Sequence, residues 1–430
     1  MATRFDPTGP LRGALRPPAD KSISHRAALI AAMGEGQATI EGYLDSADTR
    51  STLAAVQALG AEVDGVSPTE IDPVISVSGV GLRGAGPAAI DVGNAGTLLR
   101  LLPGWLAGQS GDNWSLDGDD SIRRRPVDRI VVPLRRMGAK LRCREDRLPP
   151  LEVQGAQLSG IEHELPMASA QVKSCLLFAG LLAEGPTWVR EPARSRDHTE
   201  RMLSAAGADV AWLRGGVALR PRKRLELGEF AVPTDFSSAA FFIVAALLVP
   251  GSKISLDGVG TNPTRTGLLA VLGRMGAEIA VEPVGERGGE PVGTIRIRAS
   301  RLHGTEVGGS EIPLTIDELP LVALAACFAE GETTIRDAAE LRRKESDRVA
   351  TTCEALTALG ATAEPREDGI RVEGSGALRG GTVDSHGDHR IAMLGAIAGL
   401  ASNDGVEVEG MDAAAVSYPG FEADLASLLG

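Results

Sequence analysis

The chain has 430 residues and is 43% hydrophobic, long enough for more than one domain and too apolar to be disordered. A formal net charge of −13 and 3% aromatic residues argue against nucleic acid or an anionic membrane as partner. Cys143, Cys175, Cys327 and Cys353 stand far apart, which suits a reducing compartment better than a disulfide framework or a zinc site.

No run of about 18 apolar residues occurs, so no membrane span is expected. The opening MATRFDPTGPLRG has neither a signal core nor a transit-like pattern, and a cytoplasmic protein is expected. Lysine is scarce, 6 against 38 arginines, so each lysine invites a question.

Two units recur along the chain. The first is a helical run, Gly-Ala, then a short alternating run, as in LAAVQALGAEV and VLGRMGAEI. Its glycines are Gly60, Gly138, Gly207, Gly276 and Gly360, with Gly430 closing a last helix, each expected just past a helix end. The second is an apolar helix, a glycine turn and a strand, marked by Gly36, Gly111, Gly185, Gly251, Gly331 and Gly405. This predicts six α/β units without the continuous Val/Ile strands of a doubly wound parallel sheet. Two groups of three are the simplest division. The boundary falls near residue 232, where VPTDFSSAAFF opens a helix on Asp235, Ser237 and Ser238. Periodicity does not place the segment before PPAD.

The familiar motifs are weak. A GxGxxG spans Gly79–Gly84, but no helix is expected after it, so a dinucleotide site is not predicted. No Gly-Lys pair exists, which removes a P-loop. DSHGDHR brings His386 and His389 near Asp384 and Asp388, yet no further pair at ligand spacing supports a metal.

Polar, cation-bearing segments interrupt the repeats. In PPADKSISHR, Lys21, Ser22 and Arg26 gather where a helix begins, with its free N–H groups facing an anion-sized space. GNAGT, with Asn94 and Gly96, is a candidate anion nest. Arg123, Arg124 and Arg125 precede Pro126, expected in the first turn of a helix, where cations oppose the dipole. Ser169, Gln171 and Lys173 head a very apolar helix, and Arg194, Ser195 and Arg196 follow. Asp317 and Glu318 precede another apolar helix, where burial would raise a carboxylate toward base duty. Lys344 and Arg348 are expected four apart on a helix with Glu345 beside them, and Arg390 opens the last apolar helix. Each alone reads equally well as a cap or a solvated charged face. Together they are unlike one another from repeat to repeat, in a chain of negative net charge. That argues for one asymmetric site holding a small, multiply anionic substrate, rather than a scaffold that reuses one surface.

DKSISHR, GNAGT, the Arg-Pro of RRRP, SAQ, Asp317, KESDR and DHR stand in the order and spacing of the 5-enolpyruvylshikimate-3-phosphate synthase family, which the chain resembles from residue 20 to 390. The related UDP-N-acetylglucosamine enolpyruvyl transferases would show Lys-Asn near the start and a reactive loop cysteine. Here Ser22 follows Lys21, and no cysteine lies around Arg123–Pro126. The resemblance implies a two-domain α/β enolpyruvyl-transferase-like fold (an inside-out α/β barrel), each domain made of three repeated α/β units. Residues 18–232 would form one domain, 1–17 plus 233–430 the other, with hinges near 16–20 and 230–236. It implies enolpyruvyl transfer from phosphoenolpyruvate to the 5-hydroxyl of shikimate 3-phosphate, with no cofactor, no metal and a monomeric chain. By resemblance, Lys21, Ser22, Arg26, Ser169, Ala170, Gln171, Ser195, Asp317 and Lys344 hold shikimate 3-phosphate. Lys21, Asn94, Gly96, Arg125, Gln171, Arg348 and Arg390 hold phosphoenolpyruvate. Asp317, Glu345 and Lys21 carry the chemistry. Two departures stand out: Ala170 replaces a common serine, with Lys173 as the nearest replacement charge, and Val416 stands where many members have lysine.

Overall fold

Among the described residues, five repeats form the same small sheet of three strands with a fourth added from elsewhere in the chain, and the last repeat forms a three-stranded sheet. The computed structural model describes residues 2–65 and 73–429, so Gly430 lies outside the described residues. The chain divides into two compact units. One comprises Ala19–Pro233 with Glu286–Glu290; the other comprises the chain up to Pro18, Thr234–Gly285 and everything from Pro291 on.

The first unit carries helices α1 (Lys21–Met33), α2 (Ala47–Ala58), α3 (Gly96–Ala107), α4 (Asp128–Arg136), α5 (Ala170–Leu182) and α6 (His198–Ala205). The second carries α7 (Phe236–Leu248), α8 (Gly267–Arg274), the short α9 (Ile312–Thr315), α10 (Leu319–Cys327), α11 (Arg348–Ala358), α12 (His389–Ala401) and α13 (Phe421–Leu428). In the first unit α1, α3 and α5 are apolar nearly all round and buried, and α7, α10 and α12 play that part in the second. Every residue of α7 is buried. The remaining longer helices bury one face only. Each unit thus has its own core, built on its central helices and the inner faces of its sheets.

The sheets explain the repeat. Gln37–Glu41 pairs antiparallel with Val74–Ser78, which pairs with Glu62–Asp64, and Glu229–Ala231 adds parallel to the first. Asn113–Asp117, Thr187–Arg190, Lys253–Gly260 and Glu330–Ile335 head four sheets of that same order. In the last repeat Val406–Glu409 pairs parallel with Gly381–Asp384 and antiparallel with Ala2–Phe5, while Arg12–Leu15 adds parallel to Lys253–Leu256. The opening segment, which periodicity left unplaced, therefore completes two sheets of the second unit.

Both glycine series adopt positive φ at every described position, between +89° and +105° in the first and +75° and +92° in the second. At Gly60 (+105°) the chain leaves α2 in a conformation that costs a residue with a Cβ about 1 kcal/mol or more. The GxGxxG serves packing: a Cβ on Gly79 would collide with the carbonyls of Ala31 and Gly34 at the end of α1, and a strand, Ala88–Asp91, follows it.

Residues 286–290 group with the first unit, whereas the sequence alone assigns all of 233–430 to the second domain. They form the tip of the hairpin Glu278–Arg287/Glu290–Arg298, and His198 Nδ1 meets Glu290 Oε1 at 2.7 Å. Turn residues such as Gly288 and Gly289 carry no apolar period that would reveal where they pack. Among the described residues, no helix is long and apolar enough to cross a membrane.

Candidate active site

In the first unit the charged groups gather where α1, α3 and α5 begin. Asp20 caps α1, accepting from Ile23 N at 2.9 Å, and so fixes the first turn that carries Lys21 and Ser22. Lys21 Nζ lies 3.0 Å from Asp48 Oδ2 on α2. Arg26, 3% exposed, donates to Thr199 Oγ1 (2.6 Å), to the Ser22 carbonyl (2.9 Å) and to Ser174 Oγ (3.1 Å). Burial brings its guanidinium down to about 10, against the opposing pull of Glu200 and Asp20.

His25 is buried behind this turn, with Nδ1 2.6 Å from Thr52 Oγ1. Burial lowers its pKa to about 3 from 6.5, with Asp48 pulling the other way and Lys21 and Arg26 adding to the fall. The unfolded chain binds this proton below about 6.5 while the folded chain refuses it until about 3. Stability is therefore fully present above that window and falls as pH drops through it, by up to about 1.4 kcal/mol per pH unit. Urea midpoints from pH 7.5 to 4.5 should fall less steeply in His25→Asn than in the wild type; equal slopes would contradict a neutral buried imidazole.

At the start of α3, Ala95 offers no side-chain cap to the first turn. Asn94 is a bracket: its Nδ2 donates to Asp119 Oδ2 (2.8 Å) and Ser121 Oγ (2.9 Å), and its Oδ1 accepts from Arg125 Nη2 (3.1 Å). A Cβ on Gly96 would stand 2.6 Å from Arg125 Nη1 and 3.1 Å from Arg100 Nη1, so glycine there leaves room for two guanidinium groups. Gln171 accepts from Arg100 (3.1 Å) and donates to Thr97 Oγ1 (3.2 Å). Of the three consecutive arginines only Arg125 is buried. Pro126 lies ahead of α4, which starts at Asp128, and not inside its first turn: Ile122–Arg124 forms a separate 3₁₀ turn.

Ser169 caps α5, accepting from Val172 N at 3.4 Å, with Ala170 as the first helical residue. Lys173 is not available as a replacement charge. Its side chain is 3% exposed, and Nζ lies 2.7 Å from Glu191 Oε2 and 2.8 Å from Glu200 Oε1. Burial works against its charge, but Glu200 and Glu191 outweigh that and raise its pKa. Ser195 Oγ donates to the other oxygen of Glu191.

The second unit holds Asp317, Glu318, Glu345 and Asp388. Asp317 Oδ1 lies 3.2 Å from Lys344 Nζ and 3.5 Å from Arg348 Nη1, and the Asp317 carbonyl accepts from Arg390 Nη1 at 2.9 Å. Arg348, 1% exposed, donates to Glu345 Oε2 (2.7 Å) and to both oxygens of Asp388 (2.8 and 3.1 Å). Burial works against the charge on Arg348, but Asp388 and Glu345 outweigh it and carry its pKa above the usual value. Asp388 also caps α12, accepting from Arg390 N at 2.9 Å, so one buried carboxylate fixes both arginines. Glu318, fully buried, accepts from Ser237 and lies 3.5 Å from Arg390.

Lys344 and Glu345 are not on a helix with Arg348. Lys344 is extended after a 3₁₀ turn, and α11 begins at Arg348 because Asp347 caps it, accepting from Val349 and Ala350. His386 faces Glu354 at 3.2 Å and Asp388 is taken by Arg348. Among the described residues, no group of three or more His, Cys, Asp or Glu side chains could hold a metal ion.

Sequence reasoning missed Asp48, Arg100, Glu191, Glu200 and Asp388 as partners of these groups. Two of them had a signal: Arg100 is a lone cation inside the apolar LLRLL, and Asp388 stands in DHR.

The model of the EPSP synthase family, 3-phosphoshikimate 1-carboxyvinyltransferase, matches residues 5–425. The chain belongs to the EPSP synthase family. It is 51% identical to the 3-phosphoshikimate 1-carboxyvinyltransferase of Gloeobacter violaceus, over 99% of this chain and 98% of that protein. It is 49% identical to that of Alkalilimnicola ehrlichii, over 98% and 94%. The solved EPSP synthase of Acinetobacter baumannii superposes with a TM-score of 0.87 at 40% identity, covering 99% of this chain and 98% of that one. The reaction is that of EPSP synthases: the enolpyruvyl group of phosphoenolpyruvate passes to shikimate 3-phosphate in the shikimate pathway.

Proposed function

We propose which residues of this EPSP synthase perform each part of the reaction. Ser22, Arg26, Ser169, Ala170, Gln171, Ser195, Asp317 and Lys344 hold shikimate 3-phosphate. Asn94, Gly96, Arg125, Gln171, Arg348 and Arg390 hold phosphoenolpyruvate, and Lys21 serves both. Asp317 takes the proton of the 5-hydroxyl as that oxygen bonds to C2 of phosphoenolpyruvate. Glu345 delivers a proton to C3, which becomes a methyl group. In the resulting tetrahedral intermediate, Glu345 takes a methyl proton back, the C2=C3 bond re-forms and the C2–O bond to phosphate breaks. Lys21 and the arginines receive the growing charge on the phosphate.

The observation that carries this reading is the Asp317 carboxylate set between Lys344 and Arg348, with Glu345 on that same arginine. Flanking cations favour a carboxylate in its charged, proton-accepting form. The same cations suit the two phosphates and two carboxylates of the substrates, with charge-assisted bonds of about 1.5–3 kcal/mol each. A cytoplasmic monomer fits as well: Cys175, Cys327 and Cys353 are buried and unpaired, and all these roles fall on one chain. The test is phosphate release from phosphoenolpyruvate by the purified protein. Release that requires shikimate 3-phosphate supports the reading; release without it, or none from folded protein, refutes it.

A further inference from the structure

Lys173 stands on α5 with its ammonium between two buried carboxylates, Glu191 and Glu200. All three side chains are less than a tenth exposed. Such an arrangement is a poor source of stability, because desolvating three charges cancels most of their attraction. It does, however, fix geometry. Glu191 holds Lys173 with one oxygen and accepts the Ser195 hydroxyl with the other, so the lysine sets the orientation of the serine through the carboxylate. Glu200 follows Thr199 on α6, and Thr199 Oγ1 accepts from Arg26 Nε at 2.6 Å. One lysine thus anchors the partners of two residues read here as contacts of shikimate 3-phosphate.

We infer that Lys173 is a positioning residue for shikimate 3-phosphate: it holds Glu191 and Glu200 in place so that Ser195 and Arg26 are preset for the sugar phosphate. The inference rests on the roles given above to Ser195 and Arg26. Its consequence is selective. Without the lysine, Glu191 is free to turn away from Ser195 and Glu200 to swing onto Arg26, and the groups that meet phosphoenolpyruvate are untouched.

The experiment compares steady-state kinetics of Lys173→Met, Glu191→Met and Ser195→Ala, with folding followed by circular dichroism. Lys173→Met should raise KM for shikimate 3-phosphate about tenfold, the size of one lost charge-assisted hydrogen bond. KM for phosphoenolpyruvate and kcat at saturating shikimate 3-phosphate should stay within about threefold. Glu191→Met leaves a neutral Lys173–Glu200 pair and should show the same split, so it decides the matter if Lys173→Met does not fold. A purely structural role would lower the unfolding midpoint and leave both KM values alone. If Ser195→Ala raises KM for shikimate 3-phosphate while neither Lys173→Met nor Glu191→Met does, the positioning role is overturned and the substrate contact stands. If Ser195→Ala also leaves that KM unchanged, the reading of Ser195 is at fault, and the inference falls with it.

Discussion

Asp317→Asn should lower kcat by about 10²–10⁴-fold, the range expected for loss of a general base. The amide can still accept from Lys344 and Arg348, which lie 3.2 and 3.5 Å from Asp317 Oδ1, so the fold and the binding of both substrates should survive. What it cannot do is take the proton of the attacking hydroxyl. The loss should therefore appear in kcat with KM values changed only a few-fold, the signature of an interaction needed in the transition state alone. Stopped-assay phosphate release at saturating substrates measures it. A kcat within about fivefold of wild type would move the base elsewhere.

Arg348→Met should destabilise the protein by about 3–5 kcal/mol and abolish measurable turnover. Arg348, 1% exposed, is bonded to both oxygens of Asp388, whose side chain is itself fully buried. Removing it leaves that carboxylate buried beside Glu345 with its main counter-charge gone. The pH dependence gives a second handle. Burial would raise the pKa of Asp388, but Arg348, helped by His389, more than offsets this and holds it below the usual carboxylate value. A depressed carboxylate contributes stability above its unfolded pKa and loses it as pH falls through the folded one. The gap between wild type and Arg348→Met should therefore be full from neutral pH down to about 4 and narrow as the pH falls below that. Urea unfolding across that range checks both parts; a gap below about 1 kcal/mol at neutral pH would contradict the buried network.

The repeat was legible because it rests on local chemistry. A glycine just past a helix end, as at Gly60 and Gly360, leaves a signature in any six residues around it, and every described member of both series has the expected positive φ. The buried, largely apolar helices, α5 and α7 among them, were equally plain. The charged residues of the site were visible as departures from that pattern, and the family match came from their order. Their partners were not visible. Asp388 meets Arg348 across 40 residues, and Arg26 meets Thr199 across 173, distances over which no period or cap operates. Helix boundaries failed where a cap lay inside a charged run: Asp347 starts α11 after Lys344 and Glu345, which reading KESDR as one helix obscures. Lys173 shows the same limit. A lysine at the head of an apolar helix looks like a ligand for an anion until Glu191 and Glu200 are found around it.

If these groups carry an addition followed by an elimination, C3 of phosphoenolpyruvate passes through a methyl group. The measurement is the reaction run in heavy water, with the vinyl methylene of the product read by mass spectrometry and proton NMR. Deuterium is expected in that methylene, because the methyl group gains a solvent-derived proton and then loses any of its three. Glu345→Gln should slow product formation and deuterium entry together, as this mechanism requires. A product formed at the wild-type rate with an unlabelled methylene would contradict it.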